Sequence, residues 1–123
     1  MRSIRRGNNV YRGIDTSTGK WVEGSLMSAN VMYIEINEEK VYFTVREESI
    51  GKWSNLKDKA GYKIFEGDIL EISRGSFKHT AKVMIWRGYF RVDLSLFGQK
   101  RVKLVDLLST GHSVRVVGNV YKN

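Results

Sequence analysis

Residues 56–70 read Leu56-Lys57-Asp58-Lys59-Ala60-Gly61-Tyr62-Lys63-Ile64-Phe65-Glu66-Gly67-Asp68-Ile69-Leu70 and contain two predicted turns. The first half of this stretch, Lys57 to Gly61, contains the Asp and Gly that are typical of a tight turn. Its second half contains a sharp Glu66-Gly67 turn that leads into a strand, where the Asp68 carboxylate can accept backbone N–H hydrogen bonds. Two turns with a short apolar strand between them indicate a β structure in which the strands are closely spaced.

On both sides of this stretch the sequence is typical of strands. Apolar residues alternate with polar ones or occur in short runs, and Gly, Asn and Ser separate the runs. Upstream, one hairpin is predicted across the turn Asp15 to Gly19, and a second across Asn37 to Lys40. Downstream, five further strands are predicted: Ile64-Phe65, Asp68 to Ser73, Thr80 to Trp86, Tyr89 to Asp93 and Ser113 to Tyr121.

Only the segment from Lys100 to Leu108 predicts a helix. Leu104, Leu107 and Leu108 have i, i+3 and i+4 spacing there, and Gly111 follows as a stop signal. The predicted fold class is therefore mainly β, with bent antiparallel sheets and at most one short helix. A Gly-Asp pair at a strand start is common in small SH3-like barrels, so we expect such a barrel in the C-terminal half.

Two regions are expected along the chain. Polar residues cluster without strand alternation in Gly51 to Gly61, which places a soft division near residue 60. Residues 1–60 are interpreted as an N-terminal β-hairpin region, and residues 61–123 as a C-terminal region that resembles a small β-barrel. One continuous domain is the alternative.

Three segments carry a resemblance to a known family. The run from Ser49 to Leu70 closely resembles the signature of the YopX family of phage and prophage proteins, approximately "vGqytGLkDknGkkIyeGDiv". Tyr11-Arg12-Gly13 with Thr18 to Gly24 resembles the family's opening "fRGk…nGeWvyG", and Val116 to Asn123 resembles its closing "viGNiyeN". The three segments occur in the family's order and cover nearly the whole chain.

The departures from the family signature are modest. Asn55 stands where a glycine is usual, Ala60 where a polar turn residue is usual, and Trp53 where a smaller aromatic is common. Asn tolerates the left-handed backbone region better than other non-glycine residues, so the turn at Asn55 is expected to persist. The resemblance implies a phage-borne protein of undetermined biochemical role in a bacterial host cell. It supplies no catalytic residue.

Composition excludes several classes of protein. The chain has 123 residues, of which 41% are hydrophobic, and this length suits one ordinary domain or two very small ones. No window approaches the roughly 18 apolar residues of a membrane span, and no apolar segment follows the basic N-terminus as in a secretion signal. Without cysteine there is no disulfide, thiolate zinc site or thiol nucleophile. A cytoplasmic protein without membrane attachment is expected.

The formal net charge of +8 is unevenly distributed. Residues 1–20 carry +4 (five basic, one acidic), residues 21–60 carry −2 (five and seven), and residues 61–123 carry +6 (eleven and five). A basic balance favours polyanionic partners through counterion release, although a small protein can also use such charge for solubility. Unlike charges in the middle and at the ends also favour head-to-tail association, so a homo-oligomer is expected.

No enzyme, metal or cofactor site is predicted. His79 and His112 are 33 positions apart and have no metal-ligand spacing or cysteine partner. Ser109 to Ser113 places hydroxyls beside an imidazole, but adjacency in sequence does not form a nucleophile and base pair. Glu66 and Asp68 are explained by the turn signature without acid–base chemistry. The glycine-rich phosphate-binding motifs are missing from the sequence.

The segment from Arg74 to Arg91 has a pattern that folding alone does not require. Six residues that are basic or can become so (Arg74, Lys78, His79, Lys82, Arg87 and Arg91) interleave with four aromatic ones (Phe77, Trp86, Tyr89 and Phe90). Period-two alternation places Lys82, Met84 and Trp86 on one face of a strand. Single-stranded nucleic-acid binders combine lysine or arginine with aromatic rings in this way. The alternative interpretation is that Trp86 and Met84 cover the second face of the sheet while Lys82 extends into solvent.

Two hypotheses for function follow. The favoured one is a non-enzymatic phage or prophage protein that acts in interaction or assembly, by binding itself or a host protein. The alternative is a module that binds single-stranded nucleic acid through a basic-aromatic β surface. Its predicted contact residues are Lys82, Trp86, Arg87, Tyr89 and Arg91.

Overall fold

The computed structural model describes residues 10–94 and 101–121, and these residues are mainly β. Eleven strands and one short α-helix occur in this part of the chain. In order they are β1 Tyr11–Ile14, β2 Trp21–Ser28, β3 Val31–Ile36, β4 Glu39–Thr44, β5 Gly51–Lys57, β6 Lys63–Phe65, β7 Asp68–Arg74, β8 Phe77–Trp86, β9 Tyr89–Asp93, β10 Arg101–Lys103, α1 Leu104–Ser109 and β11 Ser113–Asn119. The strands form two antiparallel sheets, which confirms the predicted class.

The residues divide into two compact units, one extending to Trp53 and the other beginning at Ser54. In the first unit, β1 to β4 are joined successively as antiparallel neighbours, and β1 also pairs with the start of β5. Both predicted hairpins are present. The second closes through a two-residue turn in which Asn37 and Glu38 have φ of 53° and 69°, the positive values that match the twist of a two-residue hairpin.

A small apolar core holds the first unit together. Ile14, Met32 and Val45 are buried at its centre. The buried hydroxyl of Ser49 accepts a hydrogen bond from the Ile14 N–H at 2.8 Å and donates one to the Arg46 carbonyl at 2.7 Å. These bonds fix the 3-10 turn Glu47–Ser49 against β1, because a buried polar group needs a partner.

The second unit contains the larger core. Its five-stranded sheet has the order β10-β9-β8-β7-β11. Alternate residues of these strands face inward, as the period of two requires, and α1 contributes Leu104 and Leu107 to the same cluster. The other buried members are Ile64, Leu70, Ile72, Ala81, Val83, Val92, Leu94 and Val114.

Two segments differ from the predictions. Gly51–Lys57, interpreted as polar and without alternation, is strand β5, because its first two residues pair with β1 and the strand also has β6 as a neighbour. Asn55 interrupts its alternation with a φ of 68°. The left-handed backbone expected at Asn55 is therefore present, but it occurs within a strand and not in a turn. A helix was expected from Lys100 to Leu108, and Lys100 lies outside the described residues. Arg101–Lys103 pairs with β9 as strand β10, and the helix spans Leu104–Ser109.

The five-stranded sheet is open at both of its edges in the described residues. Within residues 10–94 and 101–121 the five-stranded sheet has two edge strands, β10 and β11, and no closed barrel is present. The SH3-like barrel and the two regions 1–60 and 61–123 therefore stay predictions. None of the helices described has the length and apolar character needed to cross a membrane.

Candidate functional site

The carboxylate of Asp58 has a structural role. It is buried, with 7% of its surface exposed, and it lies in the turn after β5. Its Oδ1 accepts hydrogen bonds from the N–H groups of Ala60 and Tyr62, at 2.9 and 2.8 Å. Its Oδ2 accepts one from Val116 of β11 at 2.9 Å. Asp58 therefore joins the turn to the edge strand of the sheet.

The Gly67-Asp68 pair is also explained by the backbone. Asp68 is 1% exposed, and its Oδ2 accepts a hydrogen bond from the Phe65 N–H at 2.7 Å, as the sequence predicted. Gly67 has a φ of 92°, and a Cβ at this position would lie 2.7 Å from the Tyr121 ring. Both residues are needed by the turn between β6 and β7, which accounts for them without acid–base chemistry.

The two histidines lie close to one aromatic ring. The rings of His79 and His112 are 6.4 and 6.5 Å from that of Phe77, so the fold brings together residues that are distant in sequence. His112 Nδ1 lies 2.9 Å from the Thr110 hydroxyl, and the Ser109 hydroxyl donates to the Asp106 carbonyl. In the part of the chain described, no group of three or more His, Asp or Glu side chains could hold a metal ion.

The outer face of β8, β9 and β10 gathers most of the predicted contact residues. The register places Met84 opposite Arg91 and Trp86 opposite Tyr89. On the next strand Lys103 stands opposite Arg91. Because Val83 and Val92 point into the core, these alternate residues point outward. Lys82 is exposed two positions before Met84 on the same face, and Arg87 lies in the turn that joins β8 to β9.

Five cation–ring contacts organise this face. Three guanidinium groups surround the Trp86 ring, with Cζ to centroid distances of 4.6 Å for Arg87, 5.4 Å for Arg91 and 4.5 Å for Arg101. The Tyr89 ring lies 3.8 Å from the Lys103 ammonium and 5.3 Å from Arg91. Such contacts contribute about 0.5–1 kcal/mol each at exposed sites. They hold like charges close together on an open surface.

Hydrogen bonds fix Arg91 at the centre of the group. Its Nε donates to the Trp86 carbonyl at 2.9 Å, and its Nη1 donates to the Arg101 carbonyl at 3.2 Å. One side chain thus links the end of β8 to β10 across β9. Together, Lys82, Trp86, Arg87, Tyr89, Arg91, Arg101 and Lys103 are called the basic-aromatic face below.

Acidic groups near this face are few in the described part of the chain. Asp93 lies opposite Arg101 in the register of β9 and β10. Glu71, on β7, is shared between two cations, at 4.0 Å from Lys78 and 3.3 Å from Arg115. Basic side chains therefore outnumber acidic ones on the described outer face, and three of them lie within 5.4 Å of the Trp86 ring centroid.

Arg101 and Lys103 belong to the basic-aromatic face but were not among its predicted residues. Both were placed in the predicted helix, whereas β10 orients them toward the two aromatic rings. The alternation basic, apolar, basic in Arg101-Val102-Lys103 was the available signal, because it is typical of a strand with one exposed face. The leucines that follow gave the stronger helical pattern.

A family model, described as YopX protein, matches residues 10–123, nearly the whole chain. This match confirms the resemblance that the turn signature carried. No curated protein and no solved structure matches the chain.

Proposed function

Since the chain belongs to the YopX family, whose members offer no catalytic residue to carry over, we propose that it acts by binding and not by catalysis. The basic-aromatic face is the proposed binding surface, and single-stranded nucleic acid is the proposed ligand. The observation that carries this proposal is the set of cations held over Trp86 and Tyr89.

The chemistry of the face fits a ligand with both negative charge and flat rings. Cations on one sheet face neutralise phosphates and release counterions. Trp86 and Tyr89 have 37% and 51% of their surface exposed, so they can be reached by a base. An acidic peptide would satisfy the cations but would leave the rings without a stacking partner.

The rings are not equivalent as stacking platforms. Trp86 already has guanidinium groups at 4.5 and 4.6 Å from its centroid, so its main effect is to orient arginines. Arginine planes stack on unpaired bases as aromatic rings do. Tyr89 is more exposed, which makes it the better direct platform. Unpaired bases are accessible to such stacking only in a single strand, and this favours single-stranded over duplex ligands.

Interaction or assembly remains a second candidate function. The sequence favours a protein that binds itself or a host protein, and one structural observation supports this independently of the basic-aromatic face. Strand β4 is an edge strand of its sheet with Val41 and Tyr42 exposed. Exposed edges are surfaces to which another chain can add.

The cellular setting and the finer fold are also proposals. The family resemblance supports a phage or prophage protein in the cytoplasm of a bacterial host cell. For residues 61–123 we propose a relationship to small SH3-like barrels, with the five-stranded sheet open between its edge strands β10 and β11 in the described residues. A bulge in β11 between Val116 and Gly118 supports it, because bulges bend strands as barrel closure requires.

The nucleic-acid proposal is tested by anisotropy of a fluorescent oligo(dT) across a series of salt concentrations. We expect affinity to fall with salt at a slope of about 0.7 per phosphate neutralised. Arg87→Ala/Arg91→Ala should lower that slope by about 1.4 if each arginine neutralises one phosphate. Arg101→Ala/Lys103→Ala should act similarly and tests the two residues that the sequence reasoning missed.

The matched control removes the same charge elsewhere. Lys20→Ala/Arg46→Ala takes two exposed basic residues from the first unit, and we expect its slope to equal that of the wild type. Equal binding by all four proteins at every salt concentration would contradict the proposed surface. Tighter binding to duplex than to oligo(dT) would reject the single-stranded ligand while leaving the surface in place.

A further inference from the structure

Strand β4 is the exposed edge of the first unit. It lies at one end of the strand order β4-β3-β2-β1, and five of its six residues are exposed. Val41 and Tyr42 are large residues at this edge, with 40% and 51% of their surface exposed. A regular edge strand with apolar side chains is a template for pairing with another strand.

The hairpin register determines which backbone groups point outward. Ile36 and Glu39 close the two-residue turn, so they form a hydrogen-bonded pair, and such pairs alternate along an antiparallel ladder. Glu39, Val41 and Phe43 therefore direct their N–H and C=O groups to β3. Lys40, Tyr42 and Thr44 direct theirs to the free edge.

The outward-facing carbonyl of Thr44 already accepts hydrogen bonds within the same chain. It accepts one from the Thr16 N–H at 2.9 Å and another from the Thr16 hydroxyl at 3.2 Å. The turn after β1 thus covers this end of the strand. Lys40 and Tyr42 remain as the outward-facing residues of the open part of β4.

We propose that β4 pairs antiparallel with β4 of a second copy of this chain, with Val41 of the two copies face to face. This register joins Lys40 of each copy to Tyr42 of the other and forms four backbone hydrogen bonds. A register centred on Lys40 would oppose two like charges, and registers centred on Tyr42 or Phe43 would require the covered Thr44. The pairing involves only the first unit, so it is independent of nucleic-acid binding.

Side chains on both faces of β4 suit this register. On one face Val41 stands opposite Ile34, and Val41 against its own copy extends this apolar row across the interface. On the other face Lys40 already lies 4.7 Å from the Tyr33 ring, and Tyr33 contacts Tyr42 edge to face at 6.0 Å. Each Lys40 would also meet the partner copy's tyrosine. Charge and ring therefore alternate across the interface without a like-charge pair, which favours a second copy as the occupant.

The register is tested by a single cysteine. The wild-type chain has no cysteine, so Val41→Cys can form a disulfide only with a second copy. Directly opposed residues of a non-hydrogen-bonded pair have Cα atoms about 4.5 Å apart, within the range that a disulfide spans. We expect near-complete covalent dimer on mild oxidation. Val105→Cys, at an exposed position on α1, is the matched control and should remain largely uncrosslinked.

A charge exchange tests the same contact without oxidation. Light scattering should detect a dimer for the wild type and monomers for Val41→Arg and for Val41→Glu, because each variant places like charges face to face. Mixing the two variants should restore the dimer. Val117→Arg introduces the same residue at an exposed valine of the other sheet's edge strand and should leave the dimer intact.

Four results would contradict the proposed pairing of β4 with a second copy. A wild-type protein that is monomeric at every concentration would overturn the proposal, as would a dimer that survives Val41→Arg. Crosslinking of Val41→Cys no greater than that of Val105→Cys would reject the register. Dimer loss in Val117→Arg alone would move the interface to β11.

Discussion

Asp58 and Asp68 lie buried in turns and accept hydrogen bonds from backbone N–H groups, whereas the cations of the basic-aromatic face lie over exposed rings. Both groups consist of ionisable side chains, and both occur in the second unit. The carboxylates belong to the stretch that identified the family, and the cations lie outside it. The family signature in this chain therefore encodes turns, and residues outside it form the surface available for binding.

The largest effect that would test this contrast is expected at Asp58. Asp58→Ala removes the acceptor of three backbone N–H groups, and hydrogen bonds to a charged group contribute about 1.5–3 kcal/mol each. Allowing for partial replacement by water, we expect the free energy of unfolding to fall by about 3–5 kcal/mol. Urea denaturation followed by tryptophan fluorescence measures it.

The matched control for Asp58 is the exposed helix residue Asp106. Asp106→Ala should change the free energy of unfolding by less than about 0.5 kcal/mol. Equal effects of the two substitutions would show that the Asp58 carboxylate contributes no more to the free energy of unfolding than an exposed carboxylate does.

The next largest effect is expected at Gly67. Gly67→Ala combines a φ of 92° with a Cβ placed 2.7 Å from the Tyr121 ring, and we expect a loss of about 2–3 kcal/mol in the free energy of unfolding. Gly75→Ala is the control, since its φ is 62° and nothing lies within 4 Å of the added Cβ. It should cost about 1 kcal/mol. If Gly75→Ala were as destabilising as Gly67→Ala, close packing against Tyr121 would have no part in the motif.

Local signals explain which parts of the fold could be predicted. The second hairpin was predictable because alternation on both sides of Asn37 to Lys40 agrees with the turn residues. β5 was not, because Asn55 breaks its alternation and its partner β1 lies far away in the sequence. Pairing between distant strands leaves no local pattern.

The same limit applies to the candidate site. Lys82, Trp86 and Arg91 could be placed on one face by counting residues along β8 and β9. The arrangement of cations around Trp86 also requires β10 beside β9. That neighbour is set by tertiary structure, so Arg101 and Lys103 could not be assigned to the face from the sequence alone.

A smaller effect on stability, with a large effect on binding, is expected at Tyr89. Tyr89→Leu removes an exposed ring that contacts Lys103 and Arg91, so the free energy of unfolding should change by less than about 1 kcal/mol. If a base stacks there, oligo(dT) affinity should fall about tenfold, which corresponds to about 1.4 kcal/mol.

Tyr62→Leu is the control for Tyr89, because Tyr62 is also an exposed tyrosine of the second unit and lies outside the basic-aromatic face. Its affinity for oligo(dT) should match that of the wild type. An unchanged affinity in Tyr89→Leu would assign stacking to the arginines around Trp86, and a large loss of stability would place Tyr89 with the structural residues.

The smallest effect is expected in the first unit, where the free energy of unfolding should depend on pH through the carboxylate of Asp15. Asp15 accepts hydrogen bonds from the Ser17 N–H and the Ser17 hydroxyl, at 2.8 and 2.9 Å, and these lower the pKa of Asp15 below its ordinary value of 3.8. A carboxyl with a lower pKa in the folded state stabilises the protein above the unfolded pKa, and this contribution disappears as pH falls through the folded pKa. We therefore expect wild type to be more stable than Asp15→Asn at neutral pH, and the difference to shrink only below about pH 4.

Urea midpoints of both proteins, recorded between neutral and acidic pH, measure this difference in stability. A difference that stays constant down to acidic pH would mean that Asp15 acts only as a neutral hydrogen-bond acceptor, and that its charge has no part in closing the first hairpin.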